Sequence, residues 1–205
     1  EQNAVTGKPF VGVAADGVSS LQVTLSLPGC TEVKAARPAA GELKGDNLST
    51  TGAITLDSTG RAQVTYYPPR YLAKGQLGKS IDVHQAGPST YVAPVSLVIT
   101  YKDASGSTGQ LTGEVLVCRP PVMLVHGFVG STATWGKMST YLRGEGFDTF
   151  SGDYSSSTLS IEGLSGLLQA HIQQQKLDYA NANIKLARVD AVGHSMGGLI
   201  SRYYA

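Results

Sequence analysis

Cysteine, histidine and long apolar runs are scarce in this chain, and each scarcity excludes a class of protein. Two cysteines and four histidines among 205 residues are too few for a disulfide-rich scaffold or an array of zinc fingers. No apolar run approaches the roughly 18 residues that a membrane span needs, so we expect no transmembrane segment. Sixteen basic residues nearly balance fifteen acidic ones, which argues against a nucleic-acid partner. Hydrophobic residues still make up 41% of the chain, which is enough for packed cores.

Motifs for cofactors, metals and export are also absent. The sequence contains no Walker loop, no dinucleotide-binding fingerprint and no constellation of metal ligands, so we expect neither a cofactor nor a metal site. No basic stretch followed by an apolar one opens the chain, and a start at Glu1 is consistent with an already processed form.

A glycine-flanked serine near the end of the chain is the most informative feature that is present. The sequence around Ser195 is Val-Gly-His-Ser-Met-Gly-Gly, with a glycine two residues before and two residues after the serine. This spacing is typical of a nucleophile elbow, in which a strand turns sharply into a helix and a Cβ at either glycine would collide. Residues 186–192 are largely apolar, and Leu199, Ile200 and Tyr203 follow at helical spacing. These flanks favour an elbow over a chance Gly-Ser turn.

A second motif precedes the elbow. Residues 121–125 form an apolar strand pattern that runs directly into His126 and Gly127. With both motifs the chain resembles the α/β-hydrolase family, and within it the bacterial lipases and esterases. The resemblance implies that Ser195 is the catalytic nucleophile and that the backbone N–H groups of Phe128 and Met196 form the oxyanion hole. It also implies that His126 supports the loop rather than acting as a base.

The segment between the motifs alternates strand and helix. A helix capped by Ser131 or Thr132 and a short strand at 147–150 precede a longer helix. The apolar positions of the two helices are Trp135, Met138 and Leu142, then Ile161, Leu164, Leu168 and Ile172. Such alternation predicts a parallel sheet with flanking helices and a site at the carboxyl ends of its strands.

The partners of a catalytic serine are not evident. In the family the acid and the histidine follow the serine, so the resemblance places both beyond Ala205. Asp190 is no substitute, because five residues of strand place it about 16 Å from the serine. Each of the four histidines, His84, His126, His171 and His194, has a structural explanation that fits better than catalysis.

We therefore expect that the chain is the front part of a longer or cleaved hydrolase and is inactive as this piece alone. A true fragment that no longer catalyses is the alternative. The strand before Ser195 would otherwise expose an open edge, which is an aggregation liability.

The first 118 residues have a sequence pattern that is typical of an all-β domain. Short apolar or alternating runs separated by turn residues predict strands at 20–27, 52–56, 61–67, 80–85, 91–101 and 111–118. Their number and spacing predict a β-sandwich over 1–118, followed by the hydrolase part over 119–205. The turns and strands around Asp16-Gly17 and Asp57 to Val64 resemble bacterial Ig-like, invasin-type modules. Tyr66, Tyr67, Tyr71 and Tyr91 form either a sugar-binding patch or, more in keeping with such a sandwich, core and edge packing.

Cys30 and Cys118 lie at the ends of two predicted strands of the sandwich. A disulfide between them would stabilise the fold by up to about 4 kcal/mol in the chain-entropy model, and two buried thiols are the alternative. A disulfide would indicate the periplasm or the exterior, so we expect a secreted or periplasmic protein.

These patterns predict a secreted, lipase-like carboxylic ester hydrolase that acts on an ester or lipid. Thioesterases, acyltransferases and polyester hydrolases share the motifs, so the reaction type is better founded than the substrate. A polymer-binding or adhesion sandwich attached to an inactive hydrolase fragment is the alternative from a different class.

Overall fold

Two β-sheets, a separate three-stranded parallel sheet and three α-helices make up the described part of the protein. The computed structural model describes residues 1–36, 41–84, 89–154 and 158–205. The strands are β1 (Gly12–Ala14), β2 (Leu21–Leu25), β3 (Cys30–Ala36), β4 (Glu42–Lys44), β5 (Ala62–Tyr67), β6 (Lys79–Ile81), β7 (Thr90–Lys102), β8 (Thr108–Cys118), β9 (Val122–Val125), β10 (Thr149–Phe150), β11 (Ile184–Lys185) and β12 (Asp190–Gly193). The helices are α1 (Gly136–Gly144), α2 (Ile161–Asn181) and α3 (Met196–Tyr204), and single 3-10 turns occupy Lys74–Gln76 and Thr132–Trp135.

The first two sheets pack face to face as a β-sandwich. One has the order β11-β1-β8-β7-β3, with β6 also paired to β7, and the other has the order β2-β5-β4. Alternate residues of these strands point inward, as the two-residue period of a strand requires. They fill a shared core that includes Val13, Leu21, Tyr66, Val95 and Val117.

Sequence patterns located the long strands of this sandwich better than the short ones. The strands expected at 20–27, 61–67, 91–101 and 111–118 are present as β2, β5, β7 and β8. The strand expected at 52–56 is absent, because Ala53 and Ile54 make only isolated bridges. The expected strand at 80–85 is represented by β6, and its last residue, Gln85, lies outside the described residues. Strands β1, β3 and β4 were not predicted.

The four tyrosines weighed as either a sugar-binding patch or core and edge packing are distributed between core and surface. Tyr66 is fully buried between the sheets, whereas Tyr67, Tyr71 and Tyr91 are exposed. On β5 this difference follows from the alternation of neighbouring side chains between the two faces of a strand. Tyr66 therefore belongs to the core packing that we expected.

The parallel sheet has the order β10-β9-β12 and lies between helices. Met123 and Val125 of β9 pack with Leu164, Leu168 and Ile172 of α2 and with Ile200 of α3. Val122 and Leu124 point to the opposite face and pack against Trp135. A strand buried on both faces explains why the sequence of β9 is continuously apolar. The predicted strand and helix alternation is confirmed here, although Met138 is exposed rather than in the core.

A strand from the second half of the chain joins the sandwich. β11 follows α2 in the chain, yet it pairs in parallel with β1 near the amino terminus. The Asn3 side chain adds to this contact, because its amide donates to the carbonyl oxygen of Ala180 and to Oδ1 of Asn183. The continuous strand expected over 186–192 is only partly present, because β11 ends at Lys185 and β12, which joins the parallel sheet, begins at Asp190.

Asp16 holds the residues between β11 and β12. Its Oδ2 accepts hydrogen bonds from the backbone N–H groups of Ala187 and Arg188, at 3.0 and 2.9 Å, and its Oδ1 accepts from Val18 and Ser19. Burial alone would raise the pKa of Asp16, but these hydrogen bonds hold it below the usual value. The stability that Asp16 contributes is present above about pH 4 and is lost as the pH falls through its lowered pKa.

Replacing Asp16 with alanine is expected to lower the free energy of unfolding by about 1–3 kcal/mol, because the backbone N–H groups of Ser19 and Arg188 lose their acceptor and that of Ala187 keeps only the Ser19 hydroxyl. Urea unfolding at pH 7 measures this loss. Asp57→Ala is the matched control, since Asp57 also accepts hydrogen bonds from Thr59 and Arg61 but only within its own exposed turn. An equal loss in both variants would contradict the role of Asp16 in joining the two parts of the chain.

The predicted disulfide is wrong, because Cys30 and Cys118 are both free and buried. Cys30 lies opposite Tyr101 near the end of β7, whereas Cys118 lies opposite Val92 near its start. At about 3.4 Å per residue, this stretch of β7 is on the order of 30 Å long, far beyond the roughly 7 Å that a disulfide spans. The strand ends were predicted well, but the register that separates them could not be deduced from the sequence.

Both thiols are expected to be unreactive in the folded protein and titratable after unfolding. Burial raises the pKa of each thiol, so little of the reactive thiolate is present at pH 8. Titration with a thiol reagent in guanidinium should detect both cysteines without prior reduction, and a reductant should leave the melting temperature unchanged. Detection of thiols only after reduction would contradict the register given above.

Candidate active site

The carboxyl ends of two neighbouring strands bring Gly127 and Ser195 together. β9 and β12 are parallel and in register, with Gly193 opposite Val125, and the N–H of His194 donates to the carbonyl oxygen of Val125 at 3.0 Å. After Val125 and after Gly193 the backbone leaves the sheet. The two predicted motifs therefore meet at the edge of the sheet where ligands bind in open α/β folds.

Ser195 occupies a backbone conformation that side chains rarely adopt. Its φ of 54° and ψ of −123° lie outside the usual left-handed helical region, and it directly precedes α3. Such strain costs about 1–3 kcal/mol and persists where the surrounding structure imposes it, often at functional sites. The residue is exposed. The chain thus turns sharply from β12 into α3 at Ser195.

Three glycines make this turn sterically possible. A Cβ on Gly193 would lie 2.6 Å from the backbone nitrogen of Gly198, and a Cβ on Gly197 would overlap the carbonyl oxygen of Val125. A Cβ on Gly127 would lie 2.9 Å from the Cβ of Ser195. All three distances are shorter than ordinary van der Waals contact, so the glycines allow the elbow and the loop after β9 to touch.

The loop after β9 is a second strained segment beside the serine. Val129 has a φ of 60°, which is unfavourable for a β-branched residue, and 84% of it is exposed. Phe128 is also exposed, at 65%. The N–H of Gly130 donates to the carbonyl oxygen of Gly127 at 3.0 Å and closes the loop. The structure thus places Phe128 in a tight loop next to the elbow and Met196 in the first turn of α3.

His126 is fully buried and holds this loop. Its Nε2 accepts the backbone N–H of Tyr154 at 2.9 Å, so its Nδ1 carries the proton and donates to the carbonyl oxygen of Gly127 at 3.0 Å. Both ring nitrogens are occupied by these bonds. His126 therefore has the geometry of the supporting residue that the sequence indicated.

Tyr154 and His171 extend the support of the loop and were not predicted as part of the site. The Tyr154 side chain is buried against the His126 ring, with centroids 5.5 Å apart, and its hydroxyl lies 3.1 Å from Nδ1 of His171. The position of Tyr154 was detectable, because it follows the carboxyl end of β10 in the same parallel sheet. The inward direction of its side chain was not, since that depends on packing against α2.

The remaining histidine and acid candidates are separated from Ser195. His84 hydrogen-bonds to Asp148, which precedes β10 and lies at the amino end of the parallel sheet. Asp190 begins β12, at the same end, and burial together with the nearby Asp16 raises its pKa. His194 is exposed and directly precedes the serine. The described residues thus offer no histidine and acid pair arranged to activate Ser195.

A cleft of about 570 Å³ lies between the sandwich and the amino end of the parallel sheet. Its walls include Asp16, Tyr71, Arg119 and Asp190. Arg119 is buried, donates to the carbonyl oxygens of Leu72 and Glu145, and stacks on Phe147 at 4.2 Å. Because this cleft is at the opposite end of the strands from Ser195, we do not assign it to the chemistry of the serine.

Comparison with known proteins agrees with the geometry in this part of the chain. Residues 120–205 match the family described as alpha/beta hydrolase fold. The match supports an alpha/beta hydrolase family. We call these residues, which include the parallel sheet, the loop after β9 and the elbow, the hydrolase segment. None of the curated proteins matches the chain. Among the described residues, no helix of the hydrolase segment or of the sandwich has the length and apolar character of a membrane span.

Proposed function

We propose that this chain carries the nucleophile and oxyanion hole of a serine carboxylic ester hydrolase. The observation that carries the proposal is the strained Ser195, exposed at the start of α3 and in contact with the loop after β9. The family match supports hydrolase activity in general. The specific assignment to a serine ester hydrolase therefore rests on the geometry around Ser195.

The arrangement suits attack on an ester carbonyl. The Ser195 oxygen would add to the carbonyl carbon, and the negative charge would develop on the carbonyl oxygen. The N–H groups of Phe128 and Met196 would donate hydrogen bonds to that oxygen. Met196 lies in the first turn of α3, where N–H groups lack acceptors within the helix and the helix dipole favours negative charge. Water would then release the acid from the acyl-enzyme.

Activation of the serine requires a base that the described residues do not place beside it. We propose that a histidine and an acid from beyond Ala205 supply this base, in the chain order typical of the fold. The exposed outer edge of β12, with all four of its residues exposed, supports further strand pairing on that side.

The substrate that we propose is an ester with an apolar acyl chain. Phe128 and Val129, in the loop beside the serine, are both exposed apolar side chains. Exposed apolar side chains next to a catalytic serine favour a lipid-like substrate over a polar one. This supports lipase-type activity more than hydrolysis of small polar esters.

We also propose that the sandwich is Ig-like and that the protein is secreted or periplasmic. The two orders β2-β5-β4 and β3-β7-β8 correspond to the B-E-D and C-F-G strands of Ig-like sandwiches, with β1 added beside the last strand. The proposed location now rests on this resemblance alone, since the disulfide is absent.

Labelling with a fluorophosphonate probe tests the proposal. The natural protein in which this chain occurs should gain the mass of one probe, and the adduct should map to the peptide that contains Ser195. Ser201→Ala is the matched control, because Ser201 is on the same helix but its hydroxyl donates to the carbonyl oxygen of Gly197. Labelling should persist in this control and vanish in Ser195→Ala. Labelling of another serine, or none in the natural protein, would overturn the proposal.

A further inference from the structure

A buried ionic cluster joins the sandwich to the hydrolase segment, away from Ser195. His84 lies between β6 and β7 of the sandwich, and both of its ring nitrogens face carboxylates of the hydrolase segment. Nε2 is 2.8 Å from Oδ2 of Asp148, and Nδ1 is 3.2 Å from Oδ2 of Asp178. Only 14% of the His84 side chain and 2% of the Asp148 side chain are exposed.

This geometry favours the protonated form of His84. A neutral imidazole has one N–H, so its second nitrogen would present a lone pair to a carboxylate oxygen. The imidazolium donates to both Asp148 and Asp178. The hydrogen bond to Asp148 raises the pKa of His84 above its usual value, Asp178 adds to the effect, and burial opposes it.

Tyr179, Thr90 and Cys118 also pack around this cluster. The Tyr179 hydroxyl, 3.0 Å from Oδ2 of Asp148, and the Thr90 hydroxyl both donate to this carboxylate. Burial raises the pKa of Tyr179 and of Cys118, so both stay neutral around pH 7. The buried Asp148 carboxylate thus depends on His84 for its only cationic donor among the described residues.

We propose that His84 is a proton-dependent clamp, closed when the imidazolium bridges Asp148 and Asp178 and released when His84 loses its proton. The clamp lies beside an apolar contact that includes Ala14, Val92 and Tyr179 and continues the pairing of β1 with β11. Because the pKa is raised in the folded state, the stabilisation is complete below about pH 6.5 and is lost as the pH rises through the raised pKa. The folding equilibrium constant changes about tenfold for every pH unit by which the pKa of His84 in the folded chain exceeds that in the unfolded chain.

Urea unfolding at pH 6 and pH 9, followed by tryptophan fluorescence, tests the clamp. Trp135 is the single tryptophan and is buried in the hydrolase segment, so its emission reports that part alone. We expect the urea concentration at the unfolding midpoint of the natural chain to be lower at pH 9 than at pH 6. In His84→Gln the midpoint should be low at both pH values, whereas His84→Lys, which keeps a positive charge, should reduce the dependence on pH.

His194→Gln is the matched control, because it removes an exposed histidine without a carboxylate partner in the described contacts and should behave as the natural chain. A pH-dependent fall in His84→Gln equal to that of the natural chain would overturn the proposal. If His84→Gln fails to fold, the histidine resonances of the natural chain decide instead. His84 should then titrate above the value of about 6.5 that is usual for histidine, and titration at or below that value would also overturn the clamp.

Discussion

Replacing Ser195 with alanine is expected to lower ester turnover by the natural protein roughly a million-fold, as the loss of the nucleophile does in a serine hydrolase. The reason is that the residual oxyanion donors can polarise a carbonyl but cannot form an acyl-enzyme. Hydrolysis of p-nitrophenyl esters of two chain lengths measures the loss. The longer ester should be the better substrate of the natural protein, because Phe128 and Val129 present exposed apolar side chains in the loop beside the serine.

The same assay separates chemistry from binding. Ser195→Ala should lose kcat while the affinity for a non-hydrolysable ester analogue changes little, because the serine Cβ and the loop after β9 stay in place. Turnover that persists in purified Ser195→Ala, within a factor of ten of the natural protein, would contradict the assignment of the nucleophile.

Gly197→Ala is expected to be the most damaging single methyl group that can be added to the elbow. Its Cβ would overlap the carbonyl oxygen of Val125 and lie 2.8 Å from that of His126, and backbone atoms cannot yield as a flexible side chain can. Overpacking of this kind costs about 1–3 kcal/mol or more. We expect a loss of about 3 kcal/mol in the free energy of unfolding, together with loss of probe labelling at Ser195.

Gly198→Ala is the adjacent control. A Cβ at Gly198 would meet nothing within 4 Å, and the residue is within α3, where alanine is favoured over glycine by up to about 1 kcal/mol. This variant should be at least as stable as the natural chain. Equal destabilisation by the two substitutions, measured by urea unfolding, would mean that the tight contact with Val125 does not exist.

The elbow and the hydrolase segment could be predicted because local chemistry determines them. Glycines at 193 and 197 are needed where a Cβ has no room, and the apolar run of β9 is needed where a strand is buried on both faces. The long strands β7 and β8 were predictable for a similar reason, since their alternating or apolar patterns extend over many residues.

Contacts between residues far apart in the sequence could not be predicted. β1 is three residues long, and its pairing with β11 depends on the whole fold between them. The same holds for His84, whose sequence neighbourhood gives no sign that Asp148 and Asp178 will surround it. The disulfide prediction was wrong for the same reason. The pairing register places Cys30 opposite Tyr101 and Cys118 opposite Val92, and this register cannot be deduced from the positions of the strands in the sequence.

Phosphonylation followed by crystallography tests the central claim most directly, because the adduct imitates the tetrahedral intermediate. The account predicts a covalent bond from Oγ of Ser195 to phosphorus and a phosphoryl oxygen within about 3.1 Å of the backbone nitrogens of both Phe128 and Met196. A phosphoryl oxygen directed to solvent, or held by any other pair of donors, would contradict the proposed oxyanion hole.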